Sequence, residues 1–236
     1  MTTLAALNLV ESHADYLLGK ADYMLGGAQG MTDSRGTTTL YNQGQGRHWG
    51  ASTIKGTNPA ACWAPQLIGH TGPSLDGTDQ YIEMPKVFAG AAKGTIVMLA
   101  HLTTAVRRPF FSAAQNGGGT AACELLHNSA DLVFTANDGG GAETITATNA
   151  YVNATWVLYA CEWGPLGKRI YADGVLKASD GSKVDGVGAT MDTPCLGREY
   201  VLAYVYSTLK VALFAYWPEQ LGEAAHRTLQ AARRAT

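Results

Sequence analysis

The sequence predicts an all-β chain, with one large domain at residues 29–236 behind an N-terminal arm at residues 1–28. Three observations predict it. Short apolar runs with strand-like alternation recur between residues 94 and 217. Twenty-eight glycines punctuate the chain, many in pairs or runs that suit tight turns. A length of 236 residues with 46% hydrophobic content is enough to build the core of a single β domain.

The arm differs from the rest. Leu4, Leu7, Val10, Tyr16 and Leu17 recur near helical spacing, which predicts an amphipathic helix. A tandem lies within it: Ala14-Asp-Tyr-Leu-Leu-Gly-Lys20 is followed by Ala21-Asp-Tyr-Met-Leu-Gly-Gly27. Two copies are too few for a solenoid. The apolar content leaves two outcomes. Either the arm packs back on its own domain, or it docks on another chain through Leu4, Leu7, Val10, Tyr16, Leu17, Tyr23 and Leu25.

Thr32–Gly36 reads as a turn. Gly94–Thr103 and Pro109–Ala114 read as buried strands, with Gly117–Gly119 as the turn into the next strand. Glu124–His127 and Leu132–Asn137 predict a hairpin with Asp138–Gly141 as its loop, and Thr144–Thr148 alternates as a half-exposed strand. Trp156–Trp163 and Lys168–Ala172 predict a central hairpin through Gly164–Gly167, and Asp173-Gly174 is a tight-turn signal. Leu209–Trp217 is the last strand, ended by Pro218. Leu221–Ala235 then reads as a short helix, acidic near its start (Glu219, Glu223) and basic near its end (Arg233, Arg234), as the helix dipole favours.

Four phrases occur in a telling order: Tyr41–Gly50, Ser74-Leu-Asp-Gly-Thr-Asp-Gln-Tyr-Ile-Glu-Met-Pro85, Trp156-Val-Leu-Tyr with Ile170-Tyr-Ala-Asp-Gly-Val-Leu176, and Lys210–Ala224. Together they resemble the laminin-G-like branch of the concanavalin A-like lectin/glucanase superfamily over about residues 30–236. The resemblance implies a two-sheet antiparallel jelly-roll sandwich, here with the helical or extended arm before it and the short helix after it. The fold does not fix a function, since one sandwich serves lectins, hydrolases and structural proteins.

Totals exclude several classes. Net charge is −2, and the basic clusters are the pairs Arg107-Arg108 and Arg233-Arg234, so nucleic acid is not the expected partner. No run of 18 apolar residues suits a membrane helix. The N-terminus carries no basic n-region and has Glu11 early, so it does not read as a signal peptide. Cys62, Cys123, Cys161 and Cys195 are too widely spaced for a zinc site. Cys123 and Cys161 lie in strands that could face each other, but buried free thiols are the expected state.

For chemistry, the Glu-x-Asp-x-Glu run that would point catalytic carboxylates into one cleft is absent. Glu124 and Glu162 each stand alone, read as exposed strand residues, and no catalytic residue is expected. The resemblance raises a rim calcium site, for which Asp76, Asp79, Asn137 and Asp138 are the candidates. Asn42 and Gln43 replace the acidic residue and the serine of the family's opening motif, which argues against calcium at that point, and Asp76-Gly77 and Asp138-Gly139 also read as plain turns. No other cofactor is expected. An exposed aromatic platform for sugar would come from Trp49, Trp63, Trp163 and the Tyr200–Tyr206 segment, with Trp156 and Trp217 in the core.

Charged residues make up only 15% of the chain, so either part of the surface is covered by a partner or an Ala/Thr/Gly-rich surface stays soluble with little charge. With the apolar arm, the first outcome favours a non-enzymatic virion structural protein of the kind found in phages. It would be a head-decoration or tail-associated component, made in the host cytoplasm and docked on other virion subunits as a homo-oligomer or within a capsid or tail lattice. The alternative is a carbohydrate-binding lectin module, and a glycoside hydrolase is third.

Overall fold

The structure is a computed structural model and describes residues 13–26, 39–45, 51–59, 63–65, 71–104, 106–115, 120–141, 143–199 and 205–235. Leu4, Leu7, Val10, Trp49, Cys62 and the Thr32–Gly36 and Gly117–Gly119 turns lie outside the described residues.

A short helix α1 (residues 13–19) leads into β1 (Tyr23–Gly26), β2 (Thr39–Leu40), β3 (Ser52–Lys55), β4 (Trp63–Pro65), β5 (Thr71–Pro73) and β6 (Tyr81–Glu83). Then come β7 (Gly94–Leu102), β8 (Arg108–Ala114), β9 (Ala121–Asn128), β10 (Asp131–Ala136) and β11 (Glu143–Ala147). The chain closes with β12 (Trp156–Trp163), β13 (Lys168–Ala172), β14 (Val175–Asp180), β15 (Cys195–Leu196), β16 (Leu209–Trp217) and helix α2 (Glu223–Ala235). Two antiparallel sheets form the sandwich: six strands in the order β1-β16-β7-β12-β13-β14, and eight in the order β11-β10-β9-β8-β15-β6-β3-β2.

Alternation explains the core. On the six-stranded sheet Ile96, Met98 and Ala100 of β7, Tyr159, Cys161 and Trp163 of β12, and Phe214 and Tyr216 of β16 point inward. They meet Phe111, Leu125, Leu132, Phe134 and Ile82 from the eight-stranded sheet. The turn at Asp173-Gly174 has both residues at positive φ (50° and 76°), the geometry a type I′ hairpin requires. One loop differs from expectation. The β9–β10 hairpin turns at Ser129-Ala130, with Ser129 at φ 58°, while Asp138–Gly141 connects β10 to β11. The described cysteines, Cys123, Cys161 and Cys195, are buried, and none is joined to another in a disulfide.

The arm is not separate from the sandwich. β1 pairs with β16 and forms the edge of the six-stranded sheet, Tyr23 opposite Tyr216 and Leu25 opposite Phe214. Tyr23 and Leu25 are fully buried in the protein's own core, and the Tyr23 hydroxyl is hydrogen-bonded to Ser52 across the two sheets. This corrects their expected role in docking a neighbouring subunit, because a side chain enclosed between its own sheets has no surface to offer. It also moves the start of the sandwich ahead of residue 28. Leu17 packs against the outer face of the six-stranded sheet, and its carbonyl accepts from the Trp217 indole N–H at 3.0 Å. Tyr16 remains exposed, at 59%.

That outer face is apolar and covered. Val97, Leu99, Leu158, Ala160, Ala215 and Trp217 form a second core beneath α1 and α2, with Ala14 and Leu229 from the helices. Glu162 lies within this layer, fully buried rather than exposed as expected. It accepts from the Gly222 N–H ahead of α2 at 2.6 Å, lies 2.8 Å from His226 Nε2, and accepts from the Tyr171 hydroxyl at 3.3 Å, with Arg169 at 3.7 Å. Burial opposes the charge of Glu162, but the bonds from His226 and Gly222 outweigh it and hold the carboxyl below its usual range.

This packing can be tested at two positions. Gly94 sits opposite Trp163, and a Cβ there would overlap the indole; Gly94→Ala should cost about 1–3 kcal/mol in urea denaturation. Glu162→Ala should cost roughly 3–5 kcal/mol, because it leaves the α2 anchor unpaired. The stabilisation from Glu162 is present above its unfolded value of about 4.5 and is lost as pH falls through the lowered folded value, so the loss between wild type and variant should narrow in acid.

Candidate functional site

With one outer face sealed by helices, the outer face of the eight-stranded sheet is the remaining broad surface of the sandwich. Its residues are set by the strand alternation. Ile54, Ile82 and Met84 point inward, so Thr53, Lys55, Tyr81 and Glu83 point out. Register aligns one row across all eight strands: Thr144, Thr135, Glu124, Ser112, Cys195, Glu83, Thr53 and Thr39. The row is polar except for the thiol. Its flanks are half-buried, whereas Thr135, Glu124, Ser112 and Cys195 at its middle are buried.

The cover over the middle is the chain between β15 and β16. Arg198 bridges to Tyr206, and the Glu199 N–H donates to the Val205 carbonyl at 2.9 Å, which makes paired stems of residues 197–199 and 205–207. Beside them the Arg198 guanidinium lies over the Tyr81 ring at 4.6 Å and 6.0 Å from the Tyr206 ring centre, with the two tyrosines 6.1 Å apart. All three side chains are half-buried. Burial pushes the Tyr81 hydroxyl up, opposed by the Arg198 charge. Two neighbouring aromatic rings with a guanidinium over one of them, next to Glu83, Lys55 and Thr53, form a surface that offers both stacking and hydrogen bonding.

A second cluster adjoins it. Glu124 is 6% exposed and Glu199 fully buried, and Arg107 pairs with Glu199 at 2.7 Å. Burial, then the neighbouring Glu199, push the Glu124 carboxyl up to about 7 against the pull of Arg107 and a hydrogen bond with Ser112.

The residues expected from sequence are distributed differently. Trp163, expected in a sugar platform, is fully buried. Its ring stacks on Tyr216 and its N–H donates to the Ala91 carbonyl at 2.9 Å, because β12 runs through it and its alternation points it into the core. Trp63 is in β4, which among the described residues pairs with β5 in a two-stranded sheet separate from the two main ones. Asp76 accepts from the Thr78, Asp79 and Gln80 amides, and Asp79 accepts from the amide and hydroxyl of Thr57, so both brace one turn. Asn137 accepts from Gly139 and Gly141, and Asp138 from Gly140, bracing another. Among the described residues no group of three His, Cys, Asp or Glu side chains could hold a metal. Sequence reasoning reached Tyr206 through its tyrosine-rich segment but missed Tyr81 and Arg198. The alternation of Tyr81 and Glu83 with Ile82 and Met84 was the signal for Tyr81; nothing local marks Arg198.

Glu124 and Glu162 do not meet. They point from opposite outer faces of the sandwich, whose sheets alone are about 10 Å apart. Along the polar row, Glu124 and Glu83 are three strand spacings apart, roughly 14 Å, beyond the span of either glycosidase geometry.

The fold is that of the lectin-like β-sandwich domains. No family model matches the sequence, and no curated protein matches it. Among solved structures, the ligand binding domain of botulinum neurotoxin serotype D in complex with N-acetylneuraminic acid is similar at TM-score 0.64 and 10% identity, covering 92% of this chain and 52% of that one. The Ruminococcus gnavus IT-sialidase CBM40 bound to α2,3-sialyllactose is similar at TM-score 0.51 and 16% identity over 58% of this chain and 82% of that one. A Trypanosoma rangeli sialidase in complex with a difluoro-KDN is similar at TM-score 0.63 and 12% identity over 97% and 39%. The chain spans about half the length of the neurotoxin binding domains it matches. At these identities the likeness establishes the fold.

The raised Glu124 carboxyl predicts an unusual pH profile. Its contribution is most favourable below the unfolded value of about 4.5 and is lost as pH rises through about 7. Wild type should therefore lose up to roughly 3 kcal/mol from this group between pH 4.5 and 8. Glu124→Gln should remove that component in denaturant titrations across the range.

Proposed function

We propose that this chain is a non-enzymatic carbohydrate-binding module that takes its ligand on the outer face of the eight-stranded sheet, at Tyr81, Arg198 and Tyr206. The observation that carries the reading is this half-buried aromatic–guanidinium cluster at the edge of a polar row. Pyranose rings present apolar C–H faces to aromatic rings and hydroxyls to charged or amide groups, and the cluster supplies both kinds of partner. Support also comes from the neighbours, two of which are binding domains named with sialic-acid ligands. The separation of the lone strand carboxylates supports a binding role over hydrolysis.

The virion-subunit reading takes second place. It depended on an arm free to dock elsewhere, and two of the residues assigned to that task, Tyr23 and Leu25, serve the protein's own core.

A panel of immobilised neutral and sialylated glycans tests the proposal. The full chain should retain at least one class, and Tyr81→Ala or Arg198→Ala should each weaken it tenfold or more, about 1.4 kcal/mol, with an unchanged circular dichroism spectrum. Absence of binding to every glycan, or equal binding by both variants, would sink the proposal.

A further inference from the structure

The stems carrying Arg198 and Tyr206 are tied to β8 at their base, where the Gly197 N–H donates to the Phe110 carbonyl at 2.9 Å and the Ser207 hydroxyl to the Pro109 carbonyl at 2.6 Å, while the Ser207 N–H joins the two stems through the Gly197 carbonyl at 2.8 Å. Further along, Glu199 turns its side chain toward the sheet, where it meets Arg107. Glu124 comes up from β9 into the same enclosed space, and neither its Oε2 nor Oε2 of Glu199 has a hydrogen-bond partner among the described residues.

The charges around Glu124 come from every element packed on it. Glu199 lies on the stem, Arg107 and Arg108 precede or open β8, and the flanking row positions, Ser112 on β8 and Thr135 on β10, are neutral. Arg107 is committed to Glu199. If Glu124 also ionises, two buried carboxylates share that partner, and like charges in an enclosed site repel strongly. Lifting the stem would hydrate both carboxylates and relieve the repulsion. A proton on Glu124 removes the repulsion and lets the stem stay down.

We propose that the paired stems of residues 197–199 and 205–207 are a proton-controlled latch, seated on the sheet while Glu124 is protonated and lifted when Glu124 ionises. Because Arg198 and Tyr206 ride on the stem, the carbohydrate platform is assembled below neutrality and comes apart above it. This consequence rests on the proposed function; the latch itself does not.

Hydrogen exchange on the full chain tests the latch without any ligand. After correction for the intrinsic pH dependence of exchange, the Gly197 amide, whose bond to the Phe110 carbonyl ties the stem to the sheet, should lose about tenfold in protection per pH unit above neutrality, the limit for one linked proton. The β7 and β16 amides should fall by no more than the drop in global stability measured in denaturant over the same pH range. Glu124→Gln, an isosteric stand-in for the protonated acid, should keep the stem protected at both pH 6 and pH 8.5. Glu199→Gln, which removes the other member of the pair, should do the same and covers the case in which the first variant fails to fold. Equal stem protection in wild type at the two pH values overturns the latch, as does a loss spread evenly over the whole sandwich or a pH dependence that survives in the variants. If the latch opens as described yet no glycan binds at pH 6, the latch stands and the carbohydrate reading fails.

Discussion

A two-sheet sandwich has two outer faces, and in this protein the burial of one of them governs the other. The outer face of the six-stranded sheet carries Val97, Leu99, Leu158, Ala215 and Trp217, a surface too apolar to leave in water. It is covered by α1 and α2. Cover by a helix brings its own cost, since the amides at a helix start need acceptors. Glu162 supplies one from inside the layer, reaching the Gly222 N–H and His226 together. A buried carboxylate is tolerable only with such partners. One polar side chain in an apolar layer thus fixes where α2 lies.

The other outer face is built differently because its central row is polar. Its central row is made of threonines, serine, glutamates and one thiol, which can stay in water or bond to one another. Among the described residues it receives the paired stems of the β15–β16 connection and no helix. Those stems bring Arg198 and Tyr206 to Tyr81, and Glu199 to Glu124. The recognition surface and the crowded carboxyl pair therefore have one structural origin. Placing a loop over a polar sheet face buries some groups with partners, as Arg107 with Glu199, and others short of them.

Local sequence made most strands legible. The runs at β7, β12, β13 and β16 and the Asp173-Gly174 turn were readable because periodicity and turn chemistry are properties of neighbouring residues. Much less of the site was legible. Tyr81 and Arg198 are more than a hundred positions apart and meet only because β6 pairs with β15. Trp163 was misread for a related reason. An aromatic residue at a strand end is apolar whether it faces a ligand or a core, and only the opposing Gly94, which leaves room for the ring, decides the direction.

The tandem in the arm marks the boundary between the two kinds of information. Ala14–Lys20 and Ala21–Gly27 are nearly the same heptapeptide, yet the first lies in a helix and the second forms β1. By itself the sequence determined that both are apolar on one side and must be buried, and that the chain around them is a β-sandwich. The tertiary structure alone decided the backbone of each copy. The second copy lies along β16, whose unpaired edge offers hydrogen bonds that a strand satisfies and a helix does not. The first copy has no edge to meet. It satisfies its backbone internally as a helix and spends its leucines on the sheet face beside Trp217.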